Sequence, residues 1–106
     1  MKRLPFRALA VLLLGAVNVA SAADGDPARG ATAFETCRGC HAVAGYFNVY
    51  PSYQVPKLGG QNAAYVSTAL KEYRDGARKH DTMHANAMGL TDQQIADIAA
   101  YVSQYE

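Results

Sequence analysis

The sequence predicts an all-α fold, on three observations. Three segments carry apolar residues at helical spacing or open on strong capping residues. No segment alternates apolar and polar residues as a half-buried strand does. The stretches between the segments are rich in glycine, proline and aromatic residues. The expected architecture is three helices joined by two long loops.

Asp26-Pro27 opens the first helix. Aspartate accepts hydrogen bonds from free amides of a first turn, and proline is preset for the first helical position. This helix is expected to run from Pro27 to about Cys37. Gly30 inside it costs stability, so it is either a tolerated glycine or the point of a close crossing with another helix.

Residues 43–60 show no helical period. Gly45, Pro51, Pro56, Gly59 and Gly60 break the chain, with Tyr46, Phe47, Tyr50 and Tyr53 between them. A loop of this length is expected to be ordered by wrapping around an apolar surface. Asn62 caps the second helix, where Val66, Ala69, Leu70 and Tyr73 form one apolar stripe, and Asp75-Gly76 ends it. Residues 77–89 again read as a loop, holding His80, Met83, His84 and Met88. Thr91-Asp92-Gln93-Gln94 is a capping box, and Leu90 with Ile95 fits a hydrophobic staple. The last helix places Ile95, Ile98, Ala99 and Val102 on one face, with Tyr101 beside it.

The first residues read differently. Lys2, Arg3 and Arg7 precede an apolar run from Ala8 to Val19, and Ala20-Ser21-Ala22 supplies small residues for cleavage. Residues 1–22 are therefore expected to be a secretory signal peptide, with cleavage after Ala22 or Ala23 and one domain over 23–106. The run is shorter than the roughly 20 apolar residues of a membrane span, so no stable membrane insertion is expected after cleavage. Export places the mature chain in the periplasm. The whole chain has a formal charge of +1. The signal removes basic residues only, so the mature chain is slightly acidic. It has no basic run, which argues against nucleic acid as a partner.

A domain this small usually needs a staple. The chemistry-bearing residues lie in Cys37-Arg38-Gly39-Cys40-His41. Cys-x-x-Cys-His is the attachment signature of haem c: two thiols one helical turn apart form thioethers, and the adjacent imidazole ligates iron. A Cys37–Cys40 disulfide would close a very short loop and stabilise little. A single motif implies one covalent haem. A zinc site of Cys37, Cys40, His80 and His84 is disfavoured by the long gap between the pairs and leaves His41 idle. A thioredoxin-like role lacks the surrounding βαβ pattern.

Iron held by His41 needs a second ligand. Met83 and Met88 are the only methionines after the signal segment, and both lie before the last helix. A methionine in a small domain is commonly core filler. Here the haem signature makes either one a candidate, and Met/His ligation suits an electron carrier of raised potential. His80 and His84 compete as ligands but read as surface histidines of a polar loop.

These residues resemble class I c-type cytochromes, and the c4/c553-like group in particular. The resemblance covers nearly the whole mature chain. It rests on the haem signature, on Pro56-Lys57-Leu58-Gly59-Gly60-Gln61, on Tyr73-Arg74-Asp75-Gly76, and on Met83 followed by the segment from Leu90 to Tyr101. It implies the small cytochrome c fold, three main helices and long loops around one haem. It selects Met83, eight residues before Thr91, over Met88. It implies that the Pro56 carbonyl bonds the ring N–H of His41. It also implies that Gly30, Phe34 and Tyr101 form a crossing of the first and last helices. Two features depart from the group: the loop from His41 to Pro56 is longer, with Pro51 as a second candidate proline, and Asn86 stands where many relatives carry another methionine.

The expected function is an exported monohaem electron carrier, not an enzyme, exchanging electrons with a dehydrogenase, an oxidase or another cytochrome. The alternatives are the electron-accepting subunit of a periplasmic dehydrogenase and, from a different class, a haem peroxidase. A peroxidase needs a vacant or labile iron position, which two protein ligands deny it.

Overall fold

The structure, a computed structural model, describes residues 25–105. The expected signal peptide, residues 1–22, lies outside the described residues. The fold is mostly helical: α1 (Pro27–Ala33), α2 (Glu35–His41), a hairpin of β1 (Phe47–Asn48) and β2 (Tyr53–Gln54), then α3 (Ala63–Asp75), α4 (Asp81–Ala87) and α5 (Asp92–Val102). The three expected helices are present, and three details differ from expectation.

The first helix is split at Phe34, whose backbone stays helical at φ −75° and ψ −12°. The amides of Cys37 and Arg38 both bond to the Phe34 carbonyl, at 2.8 and 3.0 Å. The split is thus a tightened turn that hands α1 directly to α2. The loop over residues 43–60 contains the hairpin, with Phe47 opposite Gln54 and Asn48 opposite Tyr53. Two-residue strands are too short to show alternation. The loop over residues 77–89 contains α4, whose N-cap is His80: its Nδ1 accepts from the Met83 amide at 3.2 Å. Histidine is not among the preferred caps, and seven residues give little periodicity.

The remaining caps are those expected. Asp26 accepts from the Ala28 amide and Asn62 from the Tyr65 amide, and both arms of the Thr91/Gln94 capping box are made. α3 ends at Gly76 in the left-handed region, φ 81°, where glycine carries no Cβ penalty.

α1 packs on α5, and α5 on α3. Phe34, Val66, Ile98, Ala99 and Val102 form the buried cluster between them. Gly30 is the close point of the α1–α5 crossing: a Cβ there would stand 1.9 Å from the Asp97 carbonyl oxygen and 2.8 Å from Tyr101 Cβ. Asp97 clasps the crossing. It is 3% exposed and accepts from the Asp26 amide at 2.7 Å, Arg29 Nε at 3.0 Å and Gln93 Nε2 at 2.8 Å. Arg74 ties the end of α3 to the start of α5, with Nη1 2.6 Å from Asp92 Oδ1. Among the described residues, no helix is long and apolar enough to cross a membrane.

Candidate haem site

α2 carries Cys37, Cys40 and His41 in its last turns. Phe34 is fully buried against Tyr101 and Tyr105, with ring centroids 5.7 Å away in both cases, and it fixes the root of α2 on α5. Arg38 adds a second tie: its Nη2 donates to the Tyr101 hydroxyl at 3.0 Å. These contacts hold the pentapeptide against a cavity of about 390 Å³.

Cys37, Cys40, His41, Pro56 and Met83 all line that cavity, with Leu58, Val66 and Leu70 among its apolar walls. The hairpin contributes Asn48, Tyr53 and Gln54, and Arg78 lines it as well. Met88 does not line it; it is the C-cap of α4 and 63% exposed. α4 packs on α3, and Met83 and His41 reach one cavity from different helices.

His41 Nδ1 lies 2.8 Å from the Pro56 carbonyl oxygen. A carbonyl only accepts, so Nδ1 carries the proton and Nε2 is the nitrogen with a free lone pair. The Leu58 amide bonds the His41 carbonyl at 3.0 Å, which fastens the proline segment to the end of α2. Pro51 lies outside this contact: its carbonyl accepts from Asn48 Nδ2 at 2.6 Å, within the hairpin.

Cys37 and Cys40 are not joined in a disulfide. Burial pushes the Cys37 thiol above its ordinary pKa, against a smaller lowering by the Thr36 hydroxyl. The other histidines are engaged. His80 lines the cavity with its Nδ1 committed to the Met83 amide, and His84 Nδ1 donates to the Tyr73 carbonyl at 2.8 Å. Among the described residues, no group of three or more His, Cys, Asp or Glu comes together that could hold a metal ion, so the zinc set is not assembled.

The residues fit a haem. The cavity has the apolar character and size of a cofactor site, and it gathers two thiols, an oriented imidazole and a thioether. Sequence reasoning missed several of its walls, Arg78 and Thr82 among them. Arg78 makes no ion pair among the described residues; its guanidinium lies 4.9 Å from the Tyr73 ring centroid and donates to the Tyr65 hydroxyl at 3.3 Å. Thr82 accepts from the Tyr53 hydroxyl at 2.9 Å. Neither has a spacing signature.

Residues 27–106 match the family model for cytochrome c. The chain is 45% identical over 85 residues to cytochrome c-554(548) of Halomonas halodenitrificans, covering 77% of this chain and 99% of that protein. It is 38% identical over 84 residues to cytochrome c4 of Azotobacter vinelandii, covering 76% of this chain but 35% of that protein. The crystal structure of reduced cytochrome c4 from Pseudomonas stutzeri superposes with a TM-score of 0.60 at 29% identity, covering 78% of this chain and 51% of that one. The chain thus spans nearly all of the first relative and between a third and a half of the c4 proteins. The family carries covalently bound haem c. On fold, site and sequence together, this chain belongs to the cytochrome c family and is an electron carrier rather than an enzyme.

Proposed function

We propose that this chain is an exported monohaem cytochrome that passes single electrons between periplasmic redox proteins. In this reading residues 1–22 are removed on export, and Cys37 and Cys40 hold one haem through thioethers. His41 Nε2 and the Met83 sulfur would hold its iron. The observation that carries the reading is the single cavity lined by both thiols, by an imidazole whose other nitrogen is tied to Pro56, and by one methionine of the two.

The bound cofactor supplies a one-electron ferric/ferrous couple. Everything else is the work of side chains. Pro56 fixes the tautomer and ring plane of His41. Met83 offers a soft neutral sulfur, which favours the reduced state and raises the potential. Leu58, Val66 and Leu70 keep water from that wall. With both His41 and Met83 bound to the iron, the protein would leave no open position there for peroxide or another small substrate. The partners that fit are a dehydrogenase, an oxidase or another cytochrome.

Voltammetry of the purified holoprotein, together with carbon monoxide addition to the reduced form at neutral pH, tests this reading. The expected result is one reversible one-electron wave per chain and no carbon monoxide adduct. A ready adduct, or peroxide turnover, overturns it in favour of an enzyme. Affinity capture from the native periplasm separates the remaining alternative: a larger catalytic chain at one-to-one stoichiometry would make this protein a dehydrogenase subunit.

A further inference from the structure

The hairpin is the part of the chain that departs from the short relatives of the resemblance, and it reaches the helix that bears Met83. The Tyr53 ring leaves β2 and meets His80 edge-on, with centroids 4.6 Å apart and planes at 82°. Its hydroxyl donates to Thr82 Oγ1 at 2.9 Å. One side chain therefore contacts both the N-cap of α4 and the residue immediately before Met83. All four of these residues, Tyr53, His80, Thr82 and Met83, line the cavity.

α4 cannot hold this position by itself. A helix of seven residues is far below the length that is stable in isolation. On its outer side it rests on α3, where His84 donates to the Tyr73 carbonyl and Ala87 is fully buried. On the cavity side, the His80 ring is met edge-on by Tyr53 at 4.6 Å and, more distantly, by Tyr73 of α3 at 6.2 Å; Tyr53 is the contact that comes from the hairpin. The first turn of α4, which contains Met83, is thus set by α3 behind it and by the hairpin in front of it.

The geometry points to Tyr53 as a positioning residue for Met83: the hairpin acts as a strap that holds the first turn of α4 against the cavity, through the Tyr53–Thr82 hydrogen bond and the Tyr53–His80 ring contact. This inference rests on the reading of Met83 as the axial ligand. Releasing the strap frees Met83 to leave its place without unfolding the α1–α3–α5 core, so the effect belongs to ligand exchange rather than to global stability.

The test is imidazole titration of the ferric holoprotein, read by loss of the far-red sulfur-to-iron band. Imidazole must displace the native sulfur to bind. Tyr53→Phe removes the hydrogen bond alone and is expected to tighten apparent imidazole binding roughly fivefold, the effect of one ordinary hydrogen bond. Thr82→Ala removes the same bond from the other side, so the double variant is expected to equal either single one. Thr82→Ser restores the wild-type affinity. Tyr50→Phe is the control, since Tyr50 is 92% exposed and its loss should change nothing. Unfolding midpoints measured in parallel should move little. Unchanged imidazole affinity in Tyr53→Phe, or additive effects of Tyr53→Phe and Thr82→Ala, overturns the strap. Absence of the far-red band from the wild-type protein would instead overturn Met83 ligation itself, which separates the two failures.

Discussion

Asp97 shows how one buried carboxylate joins distant parts of the chain. Its hydrogen bond from Arg29, the Asp26 amide and the Gln93 side chain hold its carboxyl well down, to about 2 from an ordinary value near 4. Burial opposes this and is outweighed. A depressed folded-state pKa means that the carboxylate contributes its stability above the ordinary value and loses it as pH falls toward the folded one. Thermal unfolding of the holoprotein should therefore weaken steadily from about pH 4 to about pH 2. Asp97→Asn should melt several degrees lower at pH 7, and its curve should converge on the wild type at the acid end of that window. Parallel curves for the two proteins would mean that Asp97 does not clasp α1 to α5.

At this scale the sequence was most legible where a residue's chemistry is its signature. The haem pentapeptide, Pro56 and Met83 are residue types in fixed register, and Cys37, Cys40, His41, Pro56 and Met83 line one cavity while Met88 does not. Arg78 and Thr82 escaped notice because an arginine and a threonine in a polar stretch look like surface. Only the path of the chain brings them to the cavity. Asp97 escaped for a similar reason: its partners, Asp26 and Arg29, lie some seventy residues away.

Among the elements, the crossing of α1 and α5 is the most constrained. Gly30 leaves no room for a Cβ against the Asp97 carbonyl and Tyr101. The obstructing atom is backbone, so a side chain there cannot be accommodated by rotation. Gly30→Ala should destabilise the holoprotein by about 3 kcal/mol in denaturant titration, by forcing the two helices apart. A change within experimental error would mean that the helices cross at a wider distance than described. The long elements, α3 and α5, were legible from periodicity and caps, because each presents a whole apolar stripe to the core. The hairpin and α4 were not. Two-residue strands and a seven-residue helix are held by tertiary contacts with Tyr53, Tyr73 and His84, and such contacts leave no local pattern. Of the aromatic residues expected to pack on an apolar surface, Tyr53 lines the cavity, whereas Phe47 and Tyr50 are 57% and 92% exposed, so the expectation fails for those two.

The described residues form a small helical core with a cavity directly against it, and Val66 belongs to both. α1, α3 and α5 share the buried cluster of Phe34, Val66, Ile98, Ala99 and Val102. α2, the proline segment, the hairpin and α4 surround a space that side chains alone do not fill. A chain this short gains much of its stability from whatever occupies that space. We propose that His41 and Met83, carried by different helices, hold one haem between them. The most direct measurement is the far-red absorption of the ferric holoprotein in wild type, Met83→Ala and Met88→Ala. The band is expected in the wild type and in Met88→Ala, at unchanged intensity, and to be lost in Met83→Ala. Survival of the band in Met83→Ala together with its loss in Met88→Ala would contradict the account.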